Sequence, residues 1–159
     1  MSARQSRRII RLILLSCTAL AAIPFRLAAQ TDGTCVDVKE RNGRELGCFI
    51  TARQELGALP RDSALFWHID RYPTLAAAES MKGARGTVVE SLGSIWLFTL
   101  GPANWRPASG ERVAAIGPIP LVNASEYAAV YMEGVFKPGM ASAVHRHPGP
   151  STCTSTAAA

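Results

Sequence analysis

Gly139-Met140-Ala141-Ser142-Ala143-Val144-His145-Arg146-His147-Pro148-Gly149-Pro150 is the stretch on which the reading of this chain turns. Alternate residues of an extended chain point to opposite sides, so two histidines one residue apart on a strand put both imidazoles on one face. His145 and His147 are therefore candidate metal ligands, because neutral imidazole nitrogen binds iron, manganese, nickel, zinc or copper. An inward-facing pair of this kind on the wall of a β-barrel is half of a metal centre.

The spacing of Gly139, His145 and His147 resembles the opening of the first conserved motif of the cupins, Gly-(x)5-His-x-His-(x)3-4-Glu-(x)6-Gly. Val135-Phe136-Lys137-Pro138-Gly139 resembles the strand and turn that lead into it. The resemblance covers about fifteen residues strongly, Val135 to Pro150. It implies an antiparallel β-barrel enclosing a small-molecule pocket, a divalent transition metal held by two His, a Glu and a further His, and pairing of two copies through strand edges. The chain departs from the motif after His147: Ser151 or Thr152 stands where the Glu belongs, and no second motif follows. Two imidazoles alone leave an ion under-liganded, so metal affinity is expected to be weak. Residues 151–159 lose hydrophobic alternation and read as an unstructured tail, and the whole reads as a truncated or frame-shifted cupin.

The N-terminus has its own grammar. Arg4, Arg7, Arg8 and Arg11 precede an apolar run from Leu12 to Ile23, and Leu27-Ala28-Ala29 is a small-residue ending before Gln30. Residues 1–29 therefore read as a signal peptide. The apolar run is shorter than the ~20 residues of a spanning helix and is followed by Pro24 and Arg26, which argues against a retained membrane anchor. Two further readings of the leader stay open: Ser6 to Arg11 resembles a twin-arginine signal, and Leu14-Leu15-Ser16-Cys17 a lipobox.

The leader also decides the charge argument. The chain holds 17 Lys plus Arg against 12 Asp plus Glu, yet five of the positives (Arg4, Arg7, Arg8, Arg11, Arg26) and none of the negatives lie in residues 1–29. The remainder balances, and nothing in it calls for nucleic acid or an anionic membrane surface as partner. A periplasmic or secreted location follows. In such a compartment Cys35 and Cys48 are expected to form a disulfide, although two unpaired buried thiols are the alternative. The segment between them alternates in character and carries an Asn-Gly pair, a hairpin signal, and a turn centred near Arg41 and Asn42 places the two cysteines opposite each other.

From Gly47 onward short strands alternate with turn residues. Strands are predicted over 48–52, 64–70, 87–90, 94–100, 112–116 and 127–136, and 101–110 reads as a Pro/Gly/Ser loop. One short helix is predicted over 74–82, capped by Thr74 and closed by Gly83. Phe66 and His68 share one face of their strand; Leu65, Trp67 and Ile69 share the other. Such a pattern is all-β, and periodicity leaves sandwich and barrel both open. The resemblance favours an incomplete cupin-like antiparallel β-barrel, with a leader (1–29), a β-rich region (30–126), the start of the barrel motif (127–150) and a tail (151–159).

The functional alternatives differ in class. An exported cupin-type protein of metal-binding ancestry, catalytically incompetent for want of the Glu and third His, is the reading expected here. A metal-dependent dioxygenase or isomerase is the second, and a structural envelope protein held by its disulfide the third. His68 reads as a hydrogen-bonded strand histidine more readily than as a third ligand, and Trp67, Trp96 and Trp105 as core or rim aromatics. Asn123-Ala124-Ser125 matches a glycosylation acceptor. No nucleophile elbow, phosphate-binding glycine loop or His-Glu-x-x-His is present.

Overall fold

A computed structural model describes residues 35–142, 144–145, 147 and 149–152. The expected leader over 1–29 and the end of the tail lie outside the described residues. Within them the chain forms strands β1 (Val36–Asp37), β2 (Gly47–Gly57), β3 (Phe66–Tyr72), helix α1 (Leu75–Met81), and strands β4 (Gly86–Ser91), β5 (Ser94–Gly101), β6 (Glu111–Ile116) and β7 (Tyr127–Val135). The all-β expectation holds, with one α-helix among the described residues.

The strands form two sheets, one of three strands in the order β1-β2-β7 and one of four in the order β4-β5-β3-β6. No closed barrel forms among the described residues. Closure would need hydrogen bonds between the two sheets at both sides, whereas the sheets meet through side chains. Val89, Trp67, Trp96 and Phe98 of the larger sheet pack on Ala52, Leu56, Ala129 and Tyr131 of the smaller. Tyr131 is the central piece, its ring edge-on to Trp67 at 5.8 Å and tilted against Phe98 at 4.9 Å.

A register shift between Ile50 and Ala52 serves this packing. An extra residue in one strand reverses which side the following residues face. Phe49 and Ala52, three apart, thus both face inward, opposite Glu133 and Tyr131 of β7. The outer face of the larger sheet is covered by α1, whose Ala77, Ala78 and Met81 meet Tyr72, Val88, Ile95 and Leu97. The alternation predicted along β3 is what permits the two covers: Trp67 faces the small sheet while Tyr72 lies under the helix. At one end Leu59, Leu65 and Leu100 form a further core with Ile119 and Leu121 of the loop before β7 and Tyr127 at its start.

The helix starts where the sequence places it, with the Thr74 hydroxyl accepting from Ala77 N at 3.2 Å. It ends differently. Lys82 turns extended (φ −69°, ψ 118°) and its N–H bonds Glu79 O, so Gly83 is not needed as a left-handed cap.

Cys35 and Cys48 are joined by a disulfide, as expected, but the hairpin between them is not antiparallel. β1 pairs parallel to β2, Val36 opposite Phe49 and Asp37 opposite Ile50. The Asn-Gly signal does mark a turn: Asn42 and Gly43 hold φ of 46° and 74°, and Arg44 N bonds Arg41 O at 2.8 Å. What displaces the hairpin is the residues before it. The Asp37 carboxylate accepts from Lys39 N at 2.9 Å and initiates a 3₁₀ turn, Val38–Glu40, from segments that a hairpin would need extended.

Candidate functional site

The His145–His147 pair does not sit on a strand. β7 stops at Val135, and Met140 N closes a turn onto Lys137 O at 3.0 Å, after which the described backbone is irregular. Pro138 and Pro150 cannot donate to a ladder, so the segment is poorly suited to continue the sheet. The expected same-face projection from a barrel wall is thus corrected, yet the two rings still meet. Their Nε2 atoms are 2.9 Å apart and their centroids 4.7 Å apart at 64°. Both side chains are exposed. The contact needs a proton on one Nε2 and a lone pair on the other.

The third imidazole is elsewhere. His68 is fully buried on β3, its ring 5.2 Å from that of Trp105. The Pro102 carbonyl only accepts and the Arg112 guanidinium only donates, so the two contacts define the tautomer. His68 Nε2 donates to Pro102 O at 2.8 Å, and Arg112 Nη1 donates to His68 Nδ1 at 2.8 Å. Both nitrogens are engaged. The strand-histidine reading stands and the third-ligand reading falls. Among the described residues no group of three or more His, Cys, Asp or Glu is placed to hold a metal ion.

His68 belongs to a buried polar cluster. Asp70, two residues on and on the same face, is 1% exposed and takes Arg112 in a fork, Nε to Oδ1 at 2.6 Å and Nη2 to Oδ2 at 3.2 Å. Arg112 also lies over the Trp105 ring at 5.6 Å. Burial drives the His68 pKa below its ordinary 6.5, opposed by the Pro102 hydrogen bond and reinforced by Arg112 and Arg106. Sequence alternation does put His68 and Asp70 on one face; Arg112 carries no local sign that it reaches them.

A second cluster ties the sheets together. Glu133 of β7, its side chain 5% exposed, accepts from Arg41 Nη1 at 2.6 Å and from Ser91 Oγ of β4 at 2.6 Å. Gln54 of β2 and Thr87 of β4 make a parallel tie, with Thr87 Oγ1 donating to Gln54 Oε1. Two surface depressions among the described residues, about 280 Å³ beside Ile116–Pro120 and about 420 Å³ beside Arg71–Pro73, are lined by neither histidine of the pair.

No family model, no curated protein and no solved structure matches this chain.

Proposed function

We propose that this is an exported, cupin-type protein whose His145–His147 pair is a weak site for a divalent transition metal (Fe, Mn, Ni, Zn or Cu). The observation that carries the reading is the 2.9 Å separation of the two Nε2 atoms. With metal–nitrogen bonds of about 2.0–2.1 Å, two ligands at a right angle stand about 2.9 Å apart, whereas tetrahedral ligands stand about 3.4 Å apart. In the metal-free chain the 2.9 Å separation is a hydrogen-bond distance, so an ion binds in place of the shared proton and the distance does not select among the five metals. The residues fit two coordination positions, and the rest fall to water or to a small anionic molecule. No catalytic step is derived from this pair, because the motif lacks its Glu and second-motif His. The disulfide supports an oxidising, periplasmic or extracellular setting, and none of the described helices is long and apolar enough to cross a membrane.

Copper(II) added to the full chain tests the reading, with electron paramagnetic resonance reporting nitrogen coupling from two imidazoles. His145→Ala and His147→Ala are each expected to abolish the two-nitrogen signal and to weaken binding at least about tenfold. Unchanged spectra in both variants would discard the site.

A second reading, a structural envelope domain without metal, draws on a different observation. The buried side chains of His68, Asp70 and Glu133 are spent on joining strands and bracing loops, as Glu133 does between Arg41 and Ser91. Full retention of stability and the absence of metal at stoichiometry after mild purification would favour it.

A further inference from the structure

The segment from Cys35 to Gly47 lies over an edge of the small sheet and is held in three ways. Its β1 pairs with β2 at only Phe49 and Ile50. Its Arg41 guanidinium stacks on the Phe49 ring at 4.3 Å and pairs with Glu133 at 2.6 Å. Its start is bonded covalently to β2 through Cys35–Cys48, and both half-cystines are partly exposed.

Arg41 is also the brace of the segment itself. Its Nε donates to Arg44 O at 2.7 Å and its Nη2 to Glu45 O at 3.3 Å, while Arg44 Nη2 donates to Glu40 O at 3.0 Å. These bonds join the 3₁₀ turn, the Asn-Gly turn and Arg41 into one internally hydrogen-bonded segment. Under it lies Phe49, 1% exposed, at the β2 edge that β1 covers. A two-residue parallel ladder is a weak attachment, so the disulfide is what keeps β1 in place.

We infer that the 35–47 segment is a redox-operated cover, and that reduction of Cys35–Cys48 releases it from Phe49 and the β2 edge while the four-stranded sheet stays folded. The reductant is an external dithiol. One of its thiolates attacks a cysteine Sγ, the S–S bond breaks as a mixed disulfide forms, and the other cysteine leaves as a thiolate and takes a proton. The second thiol of the reductant then displaces the first cysteine. Two electrons enter the protein, which gains two thiols, and the reductant departs as its disulfide. Opening leaves the β1-facing edge of β2 unpaired, with the Phe49 ring beside it.

Amide hydrogen exchange of the full chain, oxidised and reduced by dithiothreitol, tests the inference, with a Cys35→Ser/Cys48→Ser variant in parallel. Exchange in 47–52 is expected to rise at least about tenfold on reduction and in the variant, with β3 and β5 within about twofold of the oxidised protein. Retained protection at 47–52 overturns the proposal, and so does equal loss in β3 and β5, which would make the disulfide a global staple. Glu133→Gln, with the disulfide intact, is expected to leave 47–52 protected. Opening in that variant as large as on reduction would make the ion pair the latch and sink the redox assignment.

Discussion

Arg112 Nη1 and His68 Nδ1, 44 residues apart in sequence, meet at 2.8 Å, and this bond requires an unprotonated imidazole nitrogen. Protonation would set an N–H against the N–H of a guanidinium already fixed on Asp70. The folded chain therefore resists taking up this proton, and the His68 pKa is lowered mainly by burial and further by Arg112 and Arg106, against the raising effects of Pro102 and Asp70.

Acid destabilisation follows from that bond. As pH falls through 6.5 the unfolded chain binds the proton before the folded one, so the contribution of neutral His68 is fully present above pH 6.5 and is lost progressively below it. Urea midpoints measured between pH 7.5 and 5 are expected to drop, and His68→Gln to flatten that window while lowering stability throughout. An identical pH profile in His68→Gln would disprove the assignment.

The Asp70–Arg112 pair predicts a strong asymmetry. Removing one charge leaves the other buried without its partner, a loss of about 3–5 kcal/mol, so Arg112→Leu is expected to destabilise by that order. Replacing both, Asp70→Asn with Arg112→Leu, is expected to cost less than Arg112→Leu alone. Chemical denaturation of the four proteins closes the cycle, and additive losses would contradict the pairing.

Tyr131 makes the opposite prediction. Its hydroxyl is buried without a hydrogen-bond partner among the described residues. Burial pushes the phenol up to about 12; the nearby Thr87 hydroxyl works in the lowering direction but is itself committed to Gln54. Tyr131→Phe keeps both aromatic contacts and removes a desolvated polar atom, so stability should hold or rise by up to about 1 kcal/mol. A loss above about 1 kcal/mol by thermal unfolding would reveal a partner for that hydroxyl.

Gly110 is required by the ring beside it. Its φ is 109°, and a Cβ there would lie 2.5 Å from Tyr72 Cζ, whose hydroxyl donates to Ser109 O at 2.5 Å. Gly110→Ala combines backbone strain with a clash against a buried ring and is expected to cost about 2–4 kcal/mol. Thr74→Ala, which only uncaps α1, should cost about 1 kcal/mol. Similar melting temperatures for the two variants would refute the ranking.

Local chemistry was legible in the sequence wherever one segment contains both the signal and its consequence. Thr74 caps a helix three residues away, the period-2 pattern of β3 separates Trp67 from His68, and Asn42-Gly43 makes its turn. The His-x-His spacing likewise brings its two imidazoles together even without a strand, because a two-residue separation keeps them within reach in irregular backbone too. Partners distant in the chain were not legible. Arg41 and Glu133 are 92 residues apart, and the Arg112 side chain chooses His68 and Asp70 only because β6 lies beside β3.

The sequence by itself determined the positions of β3 to β7 and the first half of β2, the Thr74-capped start of the helix, and the two cysteines available for a bond. Only the tertiary structure decided that β1 runs parallel to β2, that two sheets stack without closing among the described residues, and that three charged or polar pairs lie partly buried between and upon them. The physical reason is range. Turns and caps are satisfied by hydrogen bonds within a few residues, whereas strand order and buried ion pairs are settled by which apolar faces cover one another across the whole chain.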